Sequence, residues 1–322
     1  MPKFHEGPKH KPTVFHGIVT LSPNMQEFLR RMEKAAKSEA NILIRGESGT
    51  GKELVARAIH DLSPRAKGPF HALNCATLTS ELMQSELFGH MKGAFTGAIA
   101  DRKGLFEAAH NGSLFLDEIA ELPHDLQPRL LRVLQDRQFS PVGSFKLIRS
   151  NIRLISATHQ SLRRMAEDGQ FRPDLMYRIR VVPLFLPRLA DRGKDIEVLT
   201  WLFIDEFNRY RQREIRAIDD SAMNALLSYN WPGNIRELRN NIEYAFAMGE
   251  GEVLQLQDLT PEVQGEPIPL QSSEQNMSIR QQEIHAIMSA LRACNHRKGE
   301  AAVKLGYSRA KLWRKIREYG LH

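Results

Sequence analysis

The 322-residue sequence predicts two folded parts: an α/β unit over roughly the first 250 residues, and a small all-α module at the carboxyl end. Three observations carry that prediction. Short apolar runs that read as buried strands alternate with helical patterns through the first part. A stretch rich in Pro, Gln and Ser, "LQLQDLTPEVQGEPIPLQSSEQNM" from Leu254 to Met277, has little periodic pattern and reads as a linker. Beyond it, nine Lys or Arg between Arg292 and His322 face only Glu300 and Glu318, so these residues carry an excess equal to the whole chain's net charge of +7.

Composition bounds the rest. Hydrophobic residues at 42% and charged residues at 26% are ordinary for a soluble globular protein. Cys75 and Cys294 are far apart in sequence, which suggests neither a disulfide framework nor a thiolate metal site and fits a reducing cytoplasm. The opening "MPKFHEGPKHKPTVFH" lacks the apolar core of a signal peptide, and no stretch approaches 18 consecutive apolar residues. A cytoplasmic protein without a membrane span is expected.

The first chemical element is "NILIRGESGTGKE". Ile42 to Ile44 form an apolar run, and Gly46, Gly51 and Lys52 follow at the spacing G-x-x-x-x-G-K, before the helical "ELVARAIHDL". Strand, glycine loop and helix in that order make a phosphate-binding loop over Gly46, Glu47, Ser48, Gly49, Thr50, Gly51, Lys52 and Glu53. The glycines let backbone N–H groups converge on phosphates, the helix presents its positive end, and Lys52 adds a point charge. Glu53 stands where Ser or Thr usually supplies a magnesium-binding hydroxyl.

Residues 89–101, "GHMKGAFTGAIAD", resist both periods. Two glycines penalise any regular element, and Phe95 has no apolar partner at spacing 2 or 3.6. The stretch is either a mobile loop with an aromatic tip or a hairpin whose Phe tucks into the core.

The apolar "GSLFLDEIAELP" reads as a second strand ending in Asp117 and Glu118, at the strand end where open α/β sheets bind ligands. Asp117 is suited to hold Mg²⁺, and Glu118 to orient and polarise an attacking water. A third strand, "IRLISAT", ends at Thr158 and His159. In "FRPDLMYRIR", Arg172 and Arg178 are ordinary surface cations or arginine fingers for the charge that develops in phosphoryl transfer. In "WPGNIRELRN", Arg236 sits in the first turn of a helix, electrostatically the wrong end for a cation, which points to another task such as a bound nucleotide.

The carboxyl-terminal module reads as three helices. In "SIRQQEIHAIMSALRAC", Ile284, Ile287, Met288 and Leu291 share one stripe expected to face a core. "KGEAAVKLG" stops at Gly306, a candidate left-handed cap. Ser308 is placed to cap "RAKLWRKIREYG", where Leu312 and Ile316 face inward and Arg309, Lys311, Arg314, Lys315 and Arg317 face outward. A short turn before a basic last helix is the pattern of a helix-turn-helix, whose last helix enters the major groove. Trp313 is either core or dimer seam.

These motifs together resemble the sigma-54-dependent bacterial transcription activators, or enhancer-binding proteins, from about Gly17 to His322. The resemblance rests on "GESGTGKE" with its Glu53, "QSELFGHMKGAFTGA", "GSLFLDEIAELP", and "FRPDLMYRI" followed by "WPGNIRELRN", with a Fis-type helix-turn-helix at the end. It implies an AAA+ ATPase using ATP and Mg²⁺. The implied boundaries are a tail over 1–16, an α/β subdomain over 17–188, a helical lid over 189–253, a linker over 254–278 and the DNA-binding domain over 279–322.

The resemblance further implies assembly from dimers into a ring, usually hexameric, with Arg172 and Arg178 reaching a neighbour's ATP. Arg236 takes the lid's sensor position. Asn74 matches an asparagine that switches Glu118 between nucleotide states. Two positions depart from the family: His159 replaces a sensor that is commonly Asn, and Pro173 replaces a usually polar residue. Gly93, Ala94, Phe95, Thr96, Gly97 and Ala98 match the loop that grips sigma-54 when ATP is bound. The implied partners are sigma-54 RNA polymerase and enhancer DNA, with hydrolysis converting a closed promoter complex to an open one.

About sixteen residues precede the ATPase region, where many family members carry a sensing domain of roughly a hundred residues. Either control comes from expression, a regulatory protein acting in trans or co-assembly with a relative, or the chain is a shortened one. Two rival classes are a DNA-remodelling AAA+ motor and a regulator that binds without remodelling. The first is disfavoured because nothing in Gly93 to Ala98 is basic enough to grip a phosphate backbone; the second, because the loop and the acidic pair are both intact.

Overall fold

The computed structural model describes residues 4–7, 12–95, 97–210, 213–265, 284, 287–291, 294, 298–305 and 307–319, with the side chains of 303 and 316–318 left aside. Two compact units result, Met1–Gln264 and Gly265–His322.

The larger unit is centred on a five-stranded sheet: β1 (Ile42–Arg45), β2 (Phe70–Asn74), β3 (Ser113–Asp117), β4 (Arg153–Thr158) and β5 (Val182–Phe185). The order is β5-β1-β4-β3-β2, and every pairing is parallel. Alternation along each strand sorts side chains to two faces. Ile42, Ile44, Phe115, Ile155 and Leu184 pack with the helices Pro23–Ala36 and Lys52–Asp61. Leu43, Leu114, Leu116 and Leu154 face the opposite cluster, with the helices Ser80–Phe88, Gln127–Asp136 and Pro173–Ile179. A sheet covered on both faces requires near-continuous apolar strands, which is why the runs were readable in sequence. The carboxyl ends of β1 to β4 share one edge, where β2 ends at Asn74 and the other loops leaving that edge carry Gly46, Glu118 and His159.

Arg153 begins β4 and is buried. Its guanidinium donates to the carbonyls of Ala35, Ala36 and Ala40 at 2.8–3.2 Å. It thereby satisfies the last carbonyl of the helix Pro23–Ala36 at Ala36, joins Ser38 at the Ala35 carbonyl, reaches Ala40 beyond the helix, and places a cation at that helix's negative end.

The helices Asp195–Asn208, Asp220–Ser228 and Asn234–Met248 enclose a second core around Trp231, Leu238, Ile242 and Phe207. Two expectations are corrected here. Residues from Leu254 onward do not begin as a linker: Val253–Leu254 is a strand, Leu256–Asp258 a 3₁₀ turn and Pro261–Gln264 a helical turn. Leu254, Leu259 and Val263 are buried in the lid core. Elements this short leave no period to read. Nor are the first sixteen residues only a tail. Phe4–His5 pairs antiparallel with Ala217–Asp219, which pairs in parallel with Val253–Leu254, and Thr13–Phe15 forms a hairpin with Ile18–Thr20. Backbone pairing, which any sequence can supply, joins these strands, and a few side chains anchor them: Ile18, Ile218 and Leu254 are buried, and Thr20 donates to Asp195.

In the smaller unit, Ile287, Ala290, Leu291, Ala301, Ala302 and Leu312 form the core, with the helices Lys298–Lys304 and Arg309–Glu318 packed together. Met288 departs from its expected place and is 39% exposed, because the buried stripe runs through Ile287 and Leu291 instead. The Ser308 hydroxyl accepts from the Lys311 amide at 3.2 Å, the expected cap. Trp313 is exposed rather than core, and the Lys298 ammonium lies 4.7 Å from its ring centre. Arg309, Lys311 and Arg314 are exposed, and Lys315 donates to the Tyr319 hydroxyl at 2.8 Å. Gly306 and the side chains of Ile316 and Arg317 lie outside the described residues. No described helix is long and apolar enough to cross a membrane.

Candidate active site

At the shared sheet edge lies a cleft of about 590 Å³, lined among others by Ser48, Lys52, Glu53, Asn74, Asp117, Glu118 and Arg236. The phosphate loop forms one wall. Gly49 and Gly51 adopt φ of +75° and +95°, a conformation in which a side chain would be strained. Gly51 is also the residue from which the helix Lys52–Asp61 starts. Thr50 is buried and its hydroxyl donates to the Glu47 carbonyl at 2.7 Å, closing the loop on itself. Glu53 is exposed in the first turn of the helix, lines the cleft, and adds its negative charge to the surroundings of Asp117.

The Lys52 ammonium is nearly buried and donates to the carbonyls of Gly46 at 3.2 Å and Glu47 at 3.4 Å, and to Glu118 Oε1 at 3.0 Å. Glu118 stands just past β3 with φ of +48°, a sparsely populated conformation for a residue with a side chain. That turn swings its carboxylate between Lys52 and His159, whose Nδ1 lies 2.9 Å from Oε2. Burial works to raise the Glu118 pKa, but the hydrogen bonds and charges of Lys52 and His159 outweigh it and hold the carboxyl below its ordinary value. Asp117 goes the other way. Burial chiefly pushes it up, and the nearby Glu118 charge adds to this, against the opposing pull of Lys52. Two adjacent carboxylates are thus driven apart in proton affinity, a pattern suited to dividing labour between them.

His159, the departure from the family pattern, is therefore a direct partner of Glu118. Asn74 is not: it lines the cleft, but its side-chain oxygen accepts from the Ala76 amide at 2.8 Å, and Glu118 is engaged elsewhere. The lid closes the cleft through Arg236, whose guanidinium donates to the Ser48 hydroxyl at 3.2 Å.

Arg172 and Arg178 do not line this cleft. Arg172 precedes the helix Pro173–Ile179 and pairs with Asp174 at 2.7 Å; Arg178, in its last turn, donates to the Leu134 carbonyl at 3.0 Å. Pro173 occupies the first helical position, where proline's missing N–H costs nothing.

Of the two forms weighed from sequence, the glycine-flanked loop takes the hairpin, though its Phe is not buried in the core. Its base is a pairing of Gly89–His90 with Arg102–Lys103. Phe95 packs edge-on against the His90 ring at 4.9 Å while remaining 37% exposed, so it is half-sheltered at the loop's foot. Gly93 and Gly97 take φ of +80° and +102°, and nothing lies within 4 Å of where a Cβ would stand. Conformation, not space, requires these glycines. Ala98 is buried, and its carbonyl accepts from the Gly93 amide at 2.8 Å. Thr96 lies outside the described residues.

A second loop beside it went unrecognised in the sequence. Met91 donates to the Val142 carbonyl at 3.0 Å, Val142 donates to Gly89 at 2.9 Å, and Gly143 abuts Ala94. Phe145 at its tip is fully exposed, with Leu147 and Ile99 also exposed. The signal was present in "SPVGSFKL": apolar residues around a glycine turn, with no partner in either period.

Residues 18–185 match the sigma-54 interaction domain, 190–276 the AAA+ ATPase lid domain, and 278–319 the Fis family of bacterial regulatory proteins. The regulatory protein AtoC of Escherichia coli strain K12 is 46% identical over 312 residues, covering 94% of this chain and 68% of AtoC. The transcriptional regulatory protein ZraR of the same strain is 44% identical over 300 residues, covering 93% and 68%. NtrX from Brucella abortus in complex with ATP is a similar solved structure, with a TM-score of 0.70 at 36% identity, covering 94% of this chain and 69% of that one. Its complex with ADP gives 0.71 at 35% identity over 94% and 70%.

Proposed function

The chain belongs to the family of sigma-54-dependent transcription activators and is an AAA+ ATPase, and from that premise we propose how its residues bind ATP, hydrolyse it and pass the energy to RNA polymerase. The observation that carries the proposal is the convergence of Lys52, Asp117, Glu118 and Arg236 on one cleft at the carboxyl edge of a parallel sheet.

The loop's glycines leave its amides free to turn toward phosphate oxygens, and the start of the helix Lys52–Asp61 adds its partial positive charge. Lys52 is a point charge for the terminal phosphates. The donor set at the cleft, a carboxylate beside the phosphate loop, suits a hard divalent cation held jointly by Asp117 and the nucleotide. Mg²⁺ bound there would neutralise phosphate charge as the terminal phosphoryl leaves. Glu118, kept ionised by its neighbours, orients a water whose oxygen attacks the terminal phosphorus; the bond to the β-phosphate oxygen breaks, giving ADP and phosphate. Phosphates bound beside Lys52 would compete with Glu118, 3.0 Å away, for its ammonium, so nucleotide binding is expected to draw Lys52 away and free Glu118 for water. Arg236 senses the same phosphates from the lid.

Arg172 and Arg178, outside their own chain's cleft, serve as fingers for the ATP of a neighbouring subunit in a ring, usually a hexamer. Gly93 to Ala98 contact sigma-54, with Phe95 leaving His90 when the loop extends. The exposed Arg309, Lys311 and Arg314, with Lys315 and Arg317, bind enhancer DNA. Control by a regulatory protein in trans, or by co-assembly with a relative, belongs to the same proposal.

Separation of the two activities tests this. Thr96→Ala should leave ATP turnover within about twofold of the parent, while capture of sigma-54 in the presence of a γ-phosphate analogue is lost. Equal loss of both would assign the loop a structural role instead.

A further inference from the structure

Asn234 is fully buried at the start of the lid helix Asn234–Met248, in a left-handed conformation with φ of +53°. Trp231, three residues earlier, is also left-handed, and its carbonyl accepts from the Asn234 amide at 2.8 Å. This tight turn aims the asparagine side chain away from the lid core and at the phosphate loop. Its Oδ1 accepts from the Leu189 amide at 2.8 Å, and its Nδ2 donates to the Ser48 carbonyl at 3.0 Å and Glu47 Oε2 at 3.2 Å. The next two amides, Ile235 and Arg236, lack acceptors within their own first turn and donate to the Gly49 carbonyl at 3.0 and 3.4 Å. A methyl group at Gly49 would collide with the Gly233 carbonyl.

A loop whose amides must turn toward phosphates has carbonyls that point elsewhere, and at Ser48 and Gly49 those carbonyls are gripped by the lid. Two residues beyond Asn234, Arg236 reaches the Ser48 hydroxyl and the cleft.

We propose that Asn234 is a positioning residue for ATP hydrolysis: it locks the lid to the outward carbonyl face of the phosphate loop and so fixes Arg236 at the cleft. The inference rests on the ATPase reading and adds a part to it. Asparagine is suited to the place because it tolerates left-handed backbone and supplies both a donor and an acceptor.

The test uses the full chain. Asn234→Gly keeps the backbone conformation and removes the side-chain bonds. It should lower kcat about tenfold or more while the Kd for a fluorescent ADP analogue stays within about threefold. If Asn234 acts through Arg236, Asn234→Gly combined with Arg236→Ala should turn over no more slowly than Arg236→Ala alone. An unchanged kcat in Asn234→Gly, or losses that multiply in the double variant, would overturn the proposal. A second pair guards against a folding defect. Asn234→Asp keeps the acceptor for Leu189 but sets a carboxylate against Glu47, and should lose kcat; adding Glu47→Gln restores a donor to that contact and should recover part of it. No recovery would also overturn the proposal. Failure of the parent chain to hydrolyse ATP would instead remove the ATPase reading, and this inference with it.

Discussion

Asp117 and Glu118 are consecutive, yet their surroundings send their proton affinities in opposite directions. For Asp117, the folded pKa lies above the unfolded one, so ionisation is penalised in the folded state: stability is highest below the unfolded value, near 3.9, and falls as pH rises through the folded value. Asp117→Asn should therefore raise the melting temperature at pH 7, with the gain vanishing below about pH 4. Glu118 is the reverse. Its folded pKa is depressed, so its stabilisation is present above the unfolded value and is lost as pH falls through the folded one, and Glu118→Gln should lower the melting temperature at pH 7. Thermal melts across pH 3–8 check both signs, and a shared sign would contradict the assignment of causes. Glu118→Gln should also reduce turnover by at least about a hundredfold while ATP still binds, because the base that orients water is gone. Most of the site residues were readable in sequence, since phosphate chemistry demands glycines, a lysine and acids at fixed spacing. The pairing of His159 with Glu118, and of Asn234 with the loop, was not readable, because both depend on left-handed turns at Glu118, Trp231 and Asn234 that side-chain patterning does not encode.

Among the elements, the five strands announced themselves because burial on both faces demands continuous apolar runs. Those that escaped notice are held by backbone pairing or by two or three buried side chains. Phe4–His5 at the sheet edge and the turns from Val253 to Gln264 are examples. Arg153 shows what a strand's first residue can do beyond pairing: it ties β4 to the end of the helix Pro23–Ala36 through three carbonyls. Arg153→Met keeps the bulk and loses those bonds, and should cost about 2–3 kcal/mol in urea unfolding, since the Ala36 and Ala40 carbonyls lose the guanidinium, whereas Ala35 keeps its bonds from Ser38. A loss under about 1 kcal/mol would mean that water replaces the guanidinium. The paired loops at Gly89–Lys103 and around Val142 follow the same logic. Backbone bonds join their feet while apolar residues at Phe95, Ile99 and Phe145 stay wholly or partly exposed, so a partner surface can be met without dismantling a core.

At the scale of the whole molecule, the phosphate loop, the acidic pair and the lid arginine meet within one compact unit, and a basic helix-turn-helix forms another. The division matches the work proposed, in which one unit finds DNA and the other couples hydrolysis to a change in polymerase. Arg172 and Arg178 do not line their own cleft, and their proposed role as fingers for a neighbour's ATP predicts that turnover depends on assembly. The direct test of the coupling is promoter melting. Permanganate reactivity of unpaired thymines is measured on a supercoiled template carrying RNA polymerase with sigma-54 and this protein, with ATP or a non-hydrolysable analogue. Melting with ATP and none with the analogue is the predicted result. ATP hydrolysis and DNA binding without melting would contradict the proposed coupling.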